Sequence, residues 1–155
     1  MKIRTAGSED IPQLLQLYRQ LNPDDIDTTV DDAQKNWELL QRYPGSNVFI
    51  GCVDDNIVTS CTLVVIPNLT RGGASYALIE NVVTSTAHRK KGYGKAILNK
   101  AIDASWRANC YKVMLLTGST LPATLNFYLD AGFEQTKTGF QIRRIPARLE
   151  ANSGP

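Results

Sequence analysis

The sequence lacks any apolar run long enough to cross a membrane, which takes about 20 residues. Its first ten residues, MKIRTAGSED, also lack the apolar core of a secretory signal. These two absences argue against membrane proteins and secreted proteins. We therefore expect a cytoplasmic protein with no membrane partner.

An excess of one charge is also lacking, because 17 basic residues face 15 acidic ones and leave a net charge of +2. A balance this even gives no electrostatic reason to expect nucleic acid as a partner. The charged fraction of 21% and the hydrophobic fraction of 43% are ordinary for a globular domain.

Cysteine and histidine are too few for a disulfide framework or a zinc site. The three cysteines, Cys52, Cys61 and Cys110, have no CxxC spacing, so we expect reduced, buried thiols. The only histidine, His88, lies in a turn and is interpreted as a solvated turn residue. The sequence therefore predicts no metal centre.

What is present is a pattern of alternating strands and helices. A chain of 155 residues fits one domain, for which we predict residues 1–147, followed by a disordered tail at 148–155. Periodicity and turn residues predict an α+β fold, in which a mixed sheet carries helices on both faces. The predicted strands are Lys2–Thr5, Val48–Val53, Ile57–Pro67, a central strand from Tyr76, Tyr111–Thr117, and a terminal hairpin of Phe133–Thr136 and Phe140–Ile145.

Helices are predicted between these strands from apolar positions on one face and from cap residues. They run from Ile11 to Leu21, over Val30–Arg42, over Gly94–Ala108, and from about Thr120 to a C-terminal cap at Gly132. A strand, a helix and a buried strand follow one another from Tyr76, so the two strands should be parallel.

An acidic stretch lies between the first two helices and contains Asp24, Asp25, Asp27, Asp31 and Asp32. One interpretation is a solvated loop leading into a helix N-terminus, where negative charge is favourable. The other is a mobile lid whose charge attracts a cationic substrate. The residues leave both open.

The segment Tyr76–Lys95 carries the strongest functional signal. An apolar strand leads through a turn into a basic segment with two glycines, and a helix follows. This order places free backbone N–H groups and a positive helix end beside basic side chains, which suits a phosphate or pyrophosphate. The segment lacks the glycine spacing of both the dinucleotide fingerprint and the P-loop. Glycines that merely turn the chain into the helix are the alternative.

The segment Arg89–Gly94 resembles the motif [Q/R]-x-x-G-x-[G/A] of the GNAT superfamily of acyl-CoA-dependent N-acyltransferases. It matches that motif at every fixed position. Further segments are similar to family segments, namely Ile79–Val83, Cys110–Val113 and Asn126–Phe133. The first two resemble those of small bacterial acetyltransferases and glucosamine-6-phosphate N-acetyltransferases in particular. The resemblance is strong from Tyr76 to Phe133 and weak before Tyr43.

The resemblance implies acetyl-CoA as cosubstrate and a central strand that splays from its neighbour at a bulge. Backbone groups of the strand would pair with the pantetheine arm, the basic loop would hold the pyrophosphate, an N–H of Asn81 or Val82 would stabilise the oxyanion, and Asn126 would bond the cofactor arm. The implied cofactor-binding residues are Asn81, Val82, Val83, Thr84, Arg89, Lys90, Lys91, Gly92, Tyr93, Gly94, Lys95 and Asn126.

Two residues are candidates for catalysis. Glu80 lies in an otherwise apolar run, where burial would raise its pKa and suit it to act as a base, directly or through water. Tyr128 matches the position of the family's tyrosine that protonates the departing thiolate. The alternatives are an exposed carboxylate for Glu80 and a core tyrosine for Tyr128.

The resulting hypothesis is direct transfer of an acetyl group to a primary amine of a small molecule in a ternary complex. The alternatives are a peptide or protein N-acetyltransferase and a coenzyme A-binding sensor without turnover. The resemblance also implies a homodimer.

Overall fold

A five-stranded sheet forms the centre of the described residues before Leu116. The structure is a computed structural model that describes residues 1–21, 23 and 26–144. The chain divides into two compact units, Met1–Leu115 and Leu116–Pro155. The strands are β1 (Lys2–Thr5), β2 (Asn47–Val53), β3 (Asn56–Ile66), β4 (Ser75–Thr84) and β5 (Cys110–Leu115).

The strands lie side by side in the order of the sequence. Neighbouring strands are antiparallel from β1 to β4, whereas β4 and β5 are parallel. The mixed, mostly antiparallel sheet confirms the predicted fold class. The turn between β2 and β3 uses Asp54 and Asp55, both with positive φ, which is the geometry favoured in tight hairpins.

Helices α1 (Ile11–Tyr18), α2 (Val30–Leu40), α3 (Tyr93–Arg107) and α4 (Pro122–Asp130) confirm the predicted helices, although α1 and α2 end two or three residues early. Thr29 caps α2, because its hydroxyl accepts the backbone N–H of Asp32 at 3.1 Å. Asp31 and Asp32 therefore lie in a first helical turn, where negative charge is favourable.

Helices α1 and α3 cover opposite faces of the sheet. On β3, the Ser60 hydroxyl lies 3.4 Å from the Tyr18 hydroxyl of α1. The next residue, Cys61, directs its thiol to the carbonyl of Ile97 in α3 at 3.7 Å. Because successive strand residues point to opposite faces, these contacts place α1 and α3 on the two sides.

The expectation of buried thiols holds for Cys61 and Cys110, whereas Cys52 is only partly buried. All three cysteines are free in the structure, and their reduced state stays a prediction. Burial raises the pKa of Cys61 to about 12, which keeps the thiol protonated at neutral pH.

The second unit contains α4, and Gly132 caps its C-terminal end as predicted. Gly132 has a φ of +93°, and its N–H bonds to the Leu129 carbonyl while the N–H of Phe133 bonds to the carbonyl of Tyr128. This pair of bonds is the Schellman arrangement.

The predicted terminal hairpin is wrong over the described residues. No strand forms between residues 133 and 144, and the side chains of Phe140 and Ile142 are 92% and 100% exposed. Two short segments of alternating pattern gain little from pairing only with each other, so alternation alone does not make a hairpin stable. Ile145 lies outside the described residues.

Some predictions concern residues outside the described part, namely Asn22, Asp24, Asp25 and the tail at 148–155. The single domain at 1–147 and the cytoplasmic location stay predictions. Within residues 1–21, 23 and 26–144, no helix combines the length and apolarity that a membrane span requires. The same residues contain no cluster of His, Cys, Asp or Glu arranged to hold a metal ion.

Candidate active site

A β-bulge in β4 is the central feature of the site. Thr62 of β3 pairs with Glu80 and Ser60 pairs with Val83, so one residue of β3 faces two of β4, Asn81 and Val82. Asn81 has a φ of +52°, in the left-handed region that asparagine tolerates better than most residues. The extra residue bends the strand and interrupts its ladder.

The bulge places Glu80 on the same face of the sheet as α1. Glu80 pairs with Thr62, and direct cross-strand partners point to the same face. Ser60, two residues before Thr62 and therefore on the same face of β3, has its hydroxyl 3.4 Å from that of Tyr18 in α1. Val83 is buried against the apolar residues of α1, although it lies three positions beyond Glu80. An unbroken strand would place Glu80 and Val83 on opposite faces.

Glu80 is a half-buried carboxylate. Burial raises the pKa of Glu80 above its ordinary value. No hydrogen bond or ion pair to its side chain occurs among the described residues. A carboxylate of raised pKa without a cation beside it accepts a proton more readily than an exposed one, which suits a general base.

The parallel ladder between β4 and β5 stops beside Glu80. Its last pair joins Ile79 to Leu115, where β5 ends. From Glu80 to Thr84, β4 therefore has no partner in β5. Ser85 donates its N–H to Val58 at 2.8 Å, so the strand remains bonded to β3 on its other side. The open edge is a place where an extended ligand could pair with backbone groups.

The N-terminus of α3 follows this open strand. Gly92 precedes the helix with a φ of +77°, and Ala96 is the first residue whose N–H bonds to a carbonyl within the helix, that of Gly92. The N–H groups of the first turn thus have no helical partner. A Cβ built on Gly92 would meet nothing within 4 Å, so the space before the helix is open.

The basic side chains around this helix end differ in their surroundings. Lys90, Lys91 and Lys95 are exposed, whereas Arg89 is half-buried. Arg89 donates its Nε–H to the carbonyl of Thr84 at 3.3 Å and so joins the loop to the end of β4. The three lysines remain at the surface as an electrostatic attraction for an anion.

His88 differs from its interpretation as a solvated residue. Its ring lies 6.3 Å from the ring of Tyr93 at an angle of 23°. Its Nδ1 atom is buried and has no hydrogen-bond partner among the described residues. The histidine therefore packs on the first residue of α3 and helps to shape the turn before the basic loop.

A cavity of about 610 Å³ lies beside the bulge. It is lined by one side of α1, by the segment before α2, and by Asn81 of β4. Its volume falls in the range that holds a small molecule. Asn81, which was expected to bind the cofactor, thus also faces a space that could hold the second substrate.

Tyr18 is the residue that sequence reasoning missed as part of the site, because it was placed only on the apolar face of a helix. It lines the cavity, and its hydroxyl contacts Ser60. Burial raises the pKa of Tyr18 more than its hydrogen bonds lower it, so the hydroxyl remains protonated. The available signal was a tyrosine in an aliphatic stripe, since a buried hydroxyl requires a partner.

The remaining candidates, Asn126 and Tyr128, lie on α4 in the second unit. Asn126 is exposed, and Tyr128 is partly buried. The Tyr128 ring meets the rings of Phe127 at 5.1 Å and Phe133 at 6.2 Å, edge to face. The first unit brings together Glu80 and the residues from Asn81 to Lys95, on one strand, one loop and one helix end.

Comparisons with known proteins identify the family and the fold. The profile of the Acetyltransferase (GNAT) family matches residues 11–133. A protein of Trypanosoma brucei brucei named glucosamine 6-phosphate N-acetyltransferase is 35% identical over 135 residues, which cover 86% of this chain and 88% of that protein.

Solved structures are similar over nearly the whole chain. A putative acetyltransferase from Agrobacterium tumefaciens str. C58 has a TM-score of 0.88 and 46% identity, covering 93% of this chain and 100% of that one. Glucosamine-6-phosphate N-acetyltransferase from Arabidopsis thaliana has a TM-score of 0.83 at 20% identity, over 93% of this chain and 98% of that one, a likeness of fold alone.

Proposed function

The chain belongs to the GNAT family of acetyltransferases, and on this premise we propose that it moves an acetyl group from acetyl-CoA to a primary amine of a small molecule. One observation carries the proposal. The strand β4 loses its β5 partner beyond Ile79, next to the half-buried Glu80 and ahead of a helix N-terminus.

The open edge of β4 offers backbone groups for the pantetheine arm, and α3 offers N–H groups for the pyrophosphate. The expected cofactor-binding residues divide accordingly, with Asn81 to Thr84 along the arm and Arg89 to Lys95 at the phosphates. Within the strand, the Val83 carbonyl already accepts the Thr59 hydroxyl at 2.9 Å. The Thr84 carbonyl likewise accepts the Arg89 Nε–H at 3.3 Å, so we assign more of the pairing to Val82 than to Val83 or Thr84.

The reaction requires the amine to lose a proton as it attacks the thioester carbon. Glu80 takes this proton directly or through a water, because its raised pKa makes the carboxylate a better base than an exposed glutamate. A backbone N–H of Asn81 or Val82 stabilises the negative oxygen of the tetrahedral intermediate. When the carbon–sulfur bond breaks, Tyr128 donates its proton to the departing thiolate.

The acceptor is proposed to be a small amine because the cavity beside Asn81 has the volume of a small-molecule site. The first acceptor to test is glucosamine 6-phosphate, after the name of the relative from T. brucei brucei. A peptide or protein acceptor and a coenzyme A sensor are the alternatives that the experiment separates.

The experiment measures release of free coenzyme A from acetyl-CoA with a panel of amino sugars, amino acids, polyamines and short peptides. Release with a small amine, lost in Glu80→Gln and reduced in Tyr128→Phe, is the expected result. Release with peptides alone favours the peptide acceptor. Binding of acetyl-CoA without transfer to any amine favours the sensor. If both variants release coenzyme A at the rate of the wild type, the proposed mechanism is rejected.

A further inference from the structure

The cavity beside the bulge contains one pair of opposite charges. Among the described residues that line it, Arg19 and Asp27 are the only charged ones. Arg19 donates to both carboxylate oxygens, from Nε to Oδ1 and from Nη2 to Oδ2, each at 3.0 Å. The other described residues of the lining are apolar or neutral, so this pair supplies the charge among the described residues.

This ion pair is easy to separate. The side chains of Arg19 and Asp27 are 67% and 69% exposed, and exposed ion pairs contribute little net stability. The planar guanidinium binds a phosphate with the same two-pronged geometry that it uses for a carboxylate. A phosphate that enters the cavity can therefore replace Asp27 on Arg19 without breaking a buried contact.

Arg19 is the better anchored member of the pair. Its N–H bonds to the carbonyl of Leu15 at 3.3 Å, so it continues the last turn of α1. The next residue, Gln20, accepts the backbone N–H of Thr86 at 3.0 Å and ties this turn to the chain beyond β4. Asp27 lies in the irregular segment ahead of α2. The carboxylate is thus the partner that can move away.

The bulge connects this cavity to the candidate base along the chain. Asn81 lines the cavity, and Glu80, which precedes Asn81 on β4 and faces α1, lies outside the lining. An acceptor that holds an anion at Arg19 and directs its amine past Asn81 towards Glu80 would use both charges. An acceptor amine without an anionic group would leave Arg19 paired with Asp27 and would gain no binding energy from Arg19.

We propose that Arg19 binds a phosphate group of the acceptor amine and exchanges Asp27 for it when the acceptor enters the cavity. This inference rests on the proposed function for the identity of the acceptor, and it assigns the phosphate contact to the C-cap residue of α1. The released Asp27 carboxylate is then hydrated, since its side chain is already 69% exposed.

The test measures binding, which does not depend on turnover. Glucosamine 6-phosphate and glucosamine are titrated calorimetrically into the protein saturated with coenzyme A. We expect the phosphorylated sugar to bind about tenfold or more tightly, since a charge-assisted bidentate contact is worth roughly 1.5–3 kcal/mol.

Variants assign the preference to the pair. Arg19→Ala should lower the affinity for glucosamine 6-phosphate about tenfold and change the affinity for glucosamine less than about twofold. Arg19→Lys should fall between, because it keeps the charge and loses the fork. Asp27→Asn should strengthen binding of the phosphorylated sugar, because a weaker competitor remains on Arg19. Lys35→Ala, which removes another exposed ion-paired cation, is the matched control and should change neither.

Equal affinity of the wild-type protein for the two sugars would overturn the inference, as would an equal loss for both in the Arg19 variants. Thermal unfolding of each variant identifies loss of fold, and Arg19→Lys then serves in place of Arg19→Ala. Binding that follows this pattern without any release of coenzyme A would reject the proposed function and leave the inference intact.

Discussion

Glu80 combines a strand position with a chemical role. Its carboxylate is half-buried, and the burial raises its pKa because the charged form loses solvation. Its neighbours on the same face, Thr62 and Tyr18, are neutral hydroxyl groups. The environment therefore raises the proton affinity of the carboxylate, which makes it a stronger base than an exposed glutamate.

The pH dependence of activity should reveal this group. We expect the rate of transfer to rise with pH through the raised pKa of Glu80, because only the ionised carboxylate accepts a proton. Glu80→Gln should lower the rate at neutral pH by about 10²- to 10⁴-fold and remove that ascending limb. Steady-state kinetics across pH check this, with the exposed Glu38→Gln as control. If Glu80→Gln keeps the pH–rate profile of the wild type, the ascending limb belongs to another ionisable group.

The same pKa shift has a consequence for stability. Because the folded protein holds this proton more tightly than the unfolded chain, the carboxylate disfavours the fold as pH rises from the ordinary glutamate pKa through the raised one. Glu80→Gln should therefore unfold at a higher temperature than the wild type above that window. Below the ordinary pKa the two should agree, and calorimetry at both ends decides. A variant of lower stability at high pH would contradict the burial argument.

At the scale of elements, the bulge and the start of α3 are two backbone devices that depend on positive φ. Asn81 and Gly92 each adopt it. The first interrupts a strand beside Glu80, and the second directs the chain into a helix. Both devices put backbone groups where a ligand could reach them, so their effect on function can be separated from side-chain chemistry.

The bulge is tested with two replacements of Asn81. Asn81→Val places a β-branched residue at a φ of +52°, and we expect it to destabilise the fold by about 1–2 kcal/mol. Asn81→Gly accepts that conformation and should keep the stability close to the wild type. Urea unfolding and transfer rates measure both. Equal stability of the two variants would show that the bulge does not depend on this conformation.

The loop is tested with Gly92→Ala and a matched control, Gly72→Ala. Both glycines have positive φ, +77° and +66°, and a Cβ on either would meet nothing within 4 Å. The two variants should lose similar stability, about 1–2 kcal/mol. Only Gly92→Ala should also weaken the binding of coenzyme A, because it shifts the loop. Each kcal/mol of binding free energy lost this way raises the dissociation constant roughly fivefold. Calorimetric titration measures the affinity for coenzyme A. An equal loss of that affinity in both variants would show that the loop at Gly92 has no specific role in cofactor binding.

For the whole molecule, the homodimer implied by the family resemblance stays a prediction. Phe140 and Ile142 are almost fully exposed large apolar side chains two positions apart. We expect light scattering to give twice the mass of one chain, and Phe140→Ser with Ile142→Ser to return it to that of the monomer. Leu69→Ser, at an equally exposed position, should leave the mass unchanged. A wild-type monomer at high concentration would contradict the prediction.

Much of the fold could be predicted because local patterns agree with the final packing. The apolar run of β4, the two aspartates of the β2–β3 turn and the cap at Gly132 each have a local physical cause. The terminal hairpin failed because strands need ladder partners that residues 133–144 do not supply by themselves. The position of the bulge could not be derived from residue patterns, since an asparagine in a strand does not reveal its φ.

The site was predictable to a different degree. Glu80 and the loop Arg89–Lys95 stood out because charge or glycine interrupts an apolar pattern. Tyr18 did not, because a tyrosine on an apolar helix face is typical of a core. The pairing of Arg19 with Asp27 joins a helix end to an irregular segment, and no spacing rule predicts such a contact.

The bulge at Asn81 has a final consequence for how the gene can change. Because one extra residue reverses the facing of the strand, the number of residues between Ile79 and Val83 matters more than their identity. Deletion of a single codon there would turn either Glu80 or Val83 to the wrong side of the sheet, whereas many substitutions would be accommodated. Reading-frame-preserving deletions should therefore be tolerated far less in β4 than point changes at the same positions.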